Sequence, residues 1–244
     1  MIFNLTQPVL DSAPKFTYTG TYEYIDDGGG NWRIKLLSSG VFTPLKAMVI
    51  DAFLVGGGAS GKGKSWFAYG GSGGFTTTIK KIALTKNTEY NVVIGAGGSG
   101  NGVAGGATTG FTGKANGANA TPGSGGSGGA YMKYSGHVTI NAGSDGADGG
   151  NSSPGQGTTT REFGESTGDL YAGGGGAAYL SGGTGGVVYA KAGEGGGGGI
   201  SGLKALPGEP NTGGGGCGNE GGETKQGAGG SGIVIIRKHK EATA

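Results

Sequence analysis

Several residue types are scarce in this sequence of 244 residues. It has one cysteine, Cys217, with 7 prolines and only 14% charged residues. A single cysteine excludes an intrachain disulfide and a cysteine-based zinc site, and so few prolines exclude a collagen triple helix. The 18 basic and 16 acidic side chains are mixed along the chain and give a net charge of +2. Because no basic stripe stands out, we expect no nucleic-acid partner.

Long hydrophobic runs are also missing. No segment approaches the roughly 18 apolar residues of a membrane-spanning helix, so we expect no membrane insertion. The N-terminal MIFNLTQPVLDSAP has neither the basic region nor the apolar core of a signal peptide. An extracellular role is therefore expected to require another route of release, such as cell lysis.

Glycine, in contrast, supplies 65 residues. A flexible low-complexity chain is the simplest alternative, but aromatic and β-branched residues adjoin the glycine blocks, and disordered chains are poor in both. Many glycines fall three apart, as at Gly215, Gly218 and Gly221, and again at Gly227 and Gly230. A polyproline-II-type helix has three residues per turn and no internal hydrogen bonds, so neighbouring helices can pair sideways. We predict an ordered bundle of polyglycine-II helices.

The composition divides the chain into three parts. Residues 1–47 predict a small N-terminal β unit, which we expect to serve as an attachment region. Within it, residues 16–25 alternate aromatic and polar side chains, which predicts one half-buried strand followed by a turn and a returning strand. Residues 48–237 form the glycine-rich domain with its receptor-binding loops, and residues 238–244 are expected to fray.

Apolar segments predict the strands of the glycine-rich domain. Residues 47–55 are apolar on both faces, residues 75–94 are rich in Thr, Ile and Val, and residues 233–236 form one short apolar run. The spacing of glycines is irregular over 102–123 and 193–199, where we expect loops. Because glycine disfavours a helix by about 1 kcal/mol per position, we predict an all-β or irregular fold with almost no α-helix. In it, short buried strands anchor the polyglycine-II helices.

Two segments match the sequence patterns of phosphate-binding motifs but lack the helix that those motifs need. Residues 58–65 fit G-x-x-x-x-G-K-[ST] and residues 95–100 fit G-x-G-x-x-G, but both motifs need a following helix, which the later glycines disfavour. His137 has no triad motif around it, and Asp145 and Asp148 lack the further ligands of a calcium repeat. We therefore expect no enzyme activity, no catalytic residue, no cofactor and no metal site.

The candidate binding residues lie in segments between glycine blocks and form three clusters. They are Lys62, Lys64, Trp66, Phe67 and Tyr69, then Tyr131, Lys133 and Tyr134, and finally Arg161 and Phe163. Trp, Tyr and Arg are enriched at binding hot spots, and functional residues often lie on loops over a rigid scaffold. For each aromatic ring, the alternative is a structural role as a cap on the glycine bundle.

Three blocks carry a family resemblance. SSGVFTPLKAMVIDAFLVGGGASG, NTEYNVVIGAGGSGNG and GAGGSGIVIIRK occur in this order. They resemble the start, middle and end of the glycine-rich domains of bacteriophage tail fibres and tail tips, over most of residues 38–237. The best-described relatives are the receptor-recognising adhesins at the tips of T-even long tail fibres. The resemblance implies a sandwich of polyglycine-II helices with receptor-binding loops, although residues 1–47 do not match the attachment domain of those adhesins.

The expected function is that of a tail-tip or tail-fibre adhesin located in the virion. Its expected partners are a bacterial surface receptor, either glycan or protein, and other tail proteins bound through the N-terminal region. One alternative is a structural fibre or baseplate component without receptor binding. Others are an ice-binding protein, which the aromatic and lysine residues disfavour, and an extracellular module like the glycine-rich domain of some animal receptor kinases.

Overall fold

The computed structural model describes residues 13–64, 67–120, 125–129, 131–133, 138–140, 157–178, 200–201, 204–219 and 226–240. Their regular structure is β-strand apart from two short 3-10 helices, so the predicted all-β class is confirmed. The strands are β1 (Phe16–Tyr18), β2 (Tyr22–Gly28), β3 (Asn31–Leu36), β4 (Gly40–Pro44), β5 (Met48–Val55), β6 (Lys62–Lys64), β7 (Phe67–Tyr69), β8 (Thr76–Leu84), β9 (Tyr90–Val92), β10 (Thr108–Gly110), β11 (Gly113–Ala115), β12 (Tyr131–Lys133), β13 (Val138–Ile140), β14 (Ala177–Ala178), β15 (Ile200–Ser201), β16 (Lys204–Ala205), β17 (Gly218–Asn219) and β18 (Ile233–Lys238). The 3-10 helices are η1 (Gly157–Thr160) and η2 (Glu162–Gly164).

A five-stranded antiparallel sheet, here called the base sheet, has the order β2-β3-β18-β5-β8. Strands β5 and β18 are buried on both faces, as their apolar sequences predict. One face packs Leu54 and Ile236 into a core with Phe42, which belongs to a second sheet of order β1-β4-β9. The other face packs Phe53 against Phe163. The base sheet is therefore the hydrophobic centre of the molecule.

The N-terminal strands differ from the sequence prediction. The single strand predicted over residues 16–25 is wrong, because β1 pairs with β4 while β2 pairs with β3. The chain bends between them at Gly20, where a Cβ would meet the Ser39 carbonyl oxygen at 2.8 Å, and a Cβ on Gly40 would meet the Gly20 nitrogen at 2.6 Å. Strand β3 also pairs with β18, so residues before position 47 share one sheet with the C-terminal end of the glycine-rich region.

The C-terminal end also departs from expectation. Lys238 is the last residue of β18, and the backbone N–H of His239 donates to the Val49 carbonyl at 3.0 Å. The His239 ring lies against Asp51, with 2.6 Å between Nδ1 and Oδ1. The prediction that the chain frays from residue 238 is therefore wrong for these two residues, while residues 241–244 lie outside the described residues.

Residues 56–61 form the central glycine helix, which shows the predicted period of three in its hydrogen bonds. Each N–H group donates to a neighbouring segment, and every third donor reaches the same segment. The pairs are Gly56 to Phe75 and Ala59 to Ser72, Gly57 to Gly106 and Ser60 to Val103, and Gly58 to Gly230 and Gly61 to Gly227. All three neighbours run antiparallel to the central helix, because the partner number falls as the donor number rises.

Three further segments donate to carbonyl groups of the central helix. The N–H groups of Ala118, Gly98 and Gly216 donate to the carbonyls of residues 57, 58 and 59 at 2.8 to 2.9 Å. The central helix thus has six backbone neighbours, which is the lateral pairing expected of packed polyglycine-II helices. Two of these neighbours, 103–106 and Ala118, lie in the region for which loops were predicted, so that prediction is wrong there.

The path of the chain sets two sheets at opposite ends of the glycine bundle. Strand β5 of the base sheet leads directly into residues 56–61, which lead directly into β6. At about 3.1 Å per residue, six residues of such a helix span roughly 19 Å. Strand β7 then returns through residues 70–75 to β8 in the base sheet. We call the end that carries β6 and β7 the tip.

Cys217 is fully buried in the glycine bundle, as the small residues around it predict. Burial raises the pKa of its thiol to about 12. Because the thiolate is the reactive form, we expect iodoacetamide at pH 8 to alkylate Cys217 at least about a thousandfold more slowly in the folded protein than in the unfolded chain. Mass spectrometry with and without guanidinium measures this ratio. Equal rates would mean that the thiol is accessible in the folded state.

Candidate functional site

A four-stranded sheet at the tip, here called the tip sheet, joins two of the three predicted clusters. Its strand order is β13-β12-β7-β6, and the neighbouring strands are antiparallel. Strands β6 and β7 form a hairpin from the first cluster, and β12 comes from the second, more than sixty residues later in the chain. Topology therefore assembles residues 62–64, 67–69 and 131–133 at one end of the molecule.

The register of the tip sheet places six of the predicted residue positions on one face. Lys62 pairs with Tyr69, which pairs with Tyr131, and Lys64 pairs with Phe67, which pairs with Lys133. Paired residues in antiparallel strands share a face, and residues two apart along a strand do so too. All six positions therefore belong to one face of the sheet. The alternate positions include Gly63 and Ala68, which are buried.

Side chains that the sequence did not single out hold the tip hairpin in place. The N–H of Gly63 donates to Asn101 Oδ1 at 2.9 Å, and Asn101 Nδ2 donates to the Gly63 carbonyl at 3.2 Å. On another side of Gly63, Gln226 and the backbone of Asn219 exchange hydrogen bonds of 2.7 and 2.8 Å. The only sequence signal for these residues is an amide side chain beside a glycine block.

The predicted residues of the first two clusters lie either in the tip strands or outside the described residues. Lys62 is exposed and its methylene carbons lie over Gly102, while Tyr69 is half-buried. Four further predicted residues lie in the tip strands, namely Lys64, Phe67, Tyr131 and Lys133. Trp66 and Tyr134 lie outside the described residues, as do His137, Asp145 and Asp148.

The third predicted cluster is in a different place, beside the base sheet. Phe163 is 3% exposed and packs against Phe53, with the guanidinium carbon of Arg237 4.1 Å from its ring centroid. Its predicted place among exposed receptor-binding side chains is therefore wrong, and the alternative role of a packing ring applies. Arg161 is half-buried, and its Nη1 donates to the Gly168 carbonyl at 3.1 Å.

A network of ion pairs surrounds Phe163. Arg33 contacts Glu162 at 2.9 Å and Asp27 at 3.0 Å, and these hydrogen bonds, that with Asp27 first, raise the pKa of its guanidinium. Arg237 contacts buried Asp51 at 3.1 Å and Glu165 at 2.7 Å. The network borders a cavity of about 400 Å³. Its charges are largely matched within the protein, so we interpret it as a structural feature of the base.

Both phosphate-binding motifs are built into the glycine bundle. The N–H groups of residues 58–61 all donate to backbone carbonyls, and a β-strand follows them instead of a helix. In the second motif, Gly95 donates to Thr108 Oγ1 and Gly98 donates to the Gly58 carbonyl. These donors are therefore not arranged to hold a phosphate.

Among the residues that the structure describes, no three His, Cys, Asp or Glu side chains are grouped closely enough to hold a metal ion. The described part of the chain likewise has no helix with the length and apolar character needed to cross a membrane.

Comparison with known proteins identifies a family that covers most of the chain. A family model described as a glycine-rich domain covers residues 37–239, which includes both ends of the glycine bundle and all three predicted clusters. No curated protein matches the chain.

Proposed function

This chain belongs to the glycine-rich domain family, and we propose, from the resemblance of its three sequence blocks to bacteriophage tail-fibre domains, that it is a tail-tip or tail-fibre adhesin. In this proposal, the tip sheet and the segments next to it contact a receptor on the bacterial surface. The base and the N-terminal residues attach the protein to other tail proteins in the virion. Binding is non-enzymatic and uses aromatic contacts, hydrogen bonds and lysine charge.

The observation that carries this proposal is the assembly of two separate clusters on one face at the tip. Lys62, Tyr69 and Tyr131 come from different segments of the chain, yet they occupy neighbouring register positions. They lie at the far end of a hydrogen-bonded bundle whose other end is the buried base sheet. A rigid scaffold that presents aromatic and basic residues at its end suits recognition of a surface ligand.

The test measures binding of fluorescently labelled protein to a panel of bacterial strains. We expect strain-selective binding, and a Lys62→Ala, Tyr131→Ala double variant should weaken it at least about tenfold, since aromatic and basic hot spots dominate interfaces. The matched control is Tyr24→Ala with Lys86→Ala, which removes an exposed tyrosine and an exposed lysine from the base end. This control should bind within about twofold of the unmodified protein.

Two outcomes would contradict the proposal. Equal weakening by the tip and base variants would show that the tip sheet is not the contact surface. Absence of binding to every strain, together with detection of the protein in purified virions, would favour a structural fibre or baseplate component instead.

A further inference from the structure

A second cavity, of about 390 Å³, opens where β3, β5 and β18 meet residues 13–15. We call it the lysine cavity. Its apolar lining includes Trp32, Met48 and Val49, and its polar lining includes Lys46, Lys81 and Lys238. Its volume lies within the range of small-molecule sites. The lysine cavity is separate from the tip sheet, which lies at the other end of the glycine bundle.

The ionisable side chains that line the lysine cavity are all basic. Lys15 and His239 complete its basic lining, and none of the described residues that line it is an aspartate or glutamate. The nearby Asp51 carboxylate already accepts hydrogen bonds from Arg237 and from the backbone of Lys81, and it contacts His239. Within the described residues, the ammonium groups of Lys46 and Lys81 form no ion pair. The positive charges of Lys46 and Lys81 would therefore attract an anion here.

The backbone of Lys81 has an unusual conformation for a residue with a side chain. Its φ is +60°, a left-handed conformation that side-chain-bearing residues seldom adopt, and it lies where the β5–β8 pairing shifts register. The shift lets the Lys81 N–H donate to Asp51 Oδ1 at 3.0 Å. Glycine would make the same hydrogen bond without strain. The hydrogen bond therefore explains the bulge, but it does not explain a lysine at this position.

We propose that the lysine cavity binds a small amphipathic anion, with a phosphate or carboxylate head among the lysines and an apolar chain against Trp32 and Met48. An inorganic anion would leave the apolar lining unused, and a neutral apolar ligand would leave the lysines unused. Both halves of the ligand therefore contribute to its recognition. This site is independent of receptor binding at the tip.

Isothermal titration calorimetry with three probes tests the proposal. The probes are n-octyl phosphate, n-octyl glucoside with the same chain and a neutral head, and inorganic phosphate without a chain. We expect n-octyl phosphate to bind with one-to-one stoichiometry, at least about tenfold more tightly than either of the others, and to weaken as salt is added. Binding of either control probe as tight as that of n-octyl phosphate would overturn the proposal.

Two lysine variants test whether n-octyl phosphate binds in the lysine cavity. Lys81→Gly removes the side chain, fits the left-handed backbone and keeps the N–H that bonds to Asp51, and Lys46→Ala changes an exposed residue outside the strands. Each should weaken n-octyl phosphate at least about fivefold. Lys80→Ala is the matched control, because Lys80 precedes Lys81 on β8 but does not line this cavity. Unchanged affinity in Lys46→Ala, or in a Lys81→Gly protein that is folded by its thermal transition, would overturn the proposal.

Discussion

Replacing Gly105 with alanine is expected to lower the free energy of unfolding by about 3 kcal/mol, whereas the same replacement at Gly106 should change it by no more than about 1 kcal/mol. The two glycines are adjacent in the segment that pairs with the central glycine helix. The difference between the two variants in unfolding free energy measures the cost of placing a methyl group where two backbones approach closely.

The difference comes from the direction in which a methyl group would point. At Gly105 a Cβ would meet the Gly57 carbonyl, far inside the 3.0 Å below which such contacts are essentially never found. That carbonyl also accepts the N–H of Ala118 at 2.9 Å, so the clash would disturb a lattice hydrogen bond. At Gly106 the nearest atom to a Cβ is the Ala96 nitrogen, at 3.1 Å. A shift of a few tenths of an ångström would accommodate it.

Gly106→Ala is the internal control for this measurement. Both replacements reduce the freedom of the unfolded chain by a similar amount, so urea unfolding of the two variants isolates the steric effect. Equal losses of stability would mean that the glycines are needed for a property other than the close approach of backbones.

Replacing Asp51 with asparagine is expected to lower the free energy of unfolding at pH 7 by about 3 kcal/mol, since removing one partner of a buried ion pair leaves the other uncompensated. Asp51 is 1% exposed and contacts Arg237, which is itself buried. Arg237 keeps its contact with Glu165, but that carboxylate is partly exposed. The amide preserves the size of the side chain and removes its charge.

The effect should depend on pH with a defined sign. Burial by itself would raise the pKa of Asp51, but hydrogen bonds from His239, the Lys81 N–H and Arg237 lower it below the ordinary value. A lowered pKa in the folded state stabilises the protein fully above the unfolded value of about 4 and loses that contribution as the pH falls through the folded value. The gap between the unmodified protein and Asp51→Asn should therefore be widest at neutral pH and shrink in acid below about pH 4.

Asp27→Asn is the matched control. Asp27 is partly exposed, and its partner Arg33 retains Glu162, so we expect a loss of at most about 1 kcal/mol. Urea unfolding of all three proteins between pH 7 and pH 3 measures both effects. A stability gap for Asp51→Asn that does not change over this range would show that the Asp51 charge contributes nothing.

The sequence predicted the strands and the glycine helices more readily than their boundaries. Strands β5 and β18 were predictable because both contain a short apolar run that adjoins a glycine block. The segment 103–106 was missed because valine and alanine interrupt its glycines. The structure explains this: Val103 is exposed, and only the residue that faces another backbone, Gly105, must lack a side chain. A strict three-residue repeat is therefore not required where a helix lies at the surface of the bundle.

The candidate site was predictable by residue type but not by arrangement. Aromatic and basic residues between glycine blocks are visible in the sequence, yet the pairing of β7 with β12 joins segments more than sixty residues apart. Local patterns carry no information about such a pairing. Residue type alone also misled at Phe163. An aromatic residue in a short polar segment looks the same in the sequence whether it is exposed or, as here, packs against Phe53.

The sideways hydrogen bonding of the central glycine helix has a mechanical consequence. A pull between the tip sheet and the base sheet acts along residues 56–61, at right angles to the hydrogen bonds that join them to their neighbours. Such bonds are loaded in shear, so they share the force and must yield together instead of opening one after another. The antiparallel pairing of β5 with β18 and β8 extends the same arrangement into the base. The molecule is thus built to resist tension between the tip sheet and the base sheet.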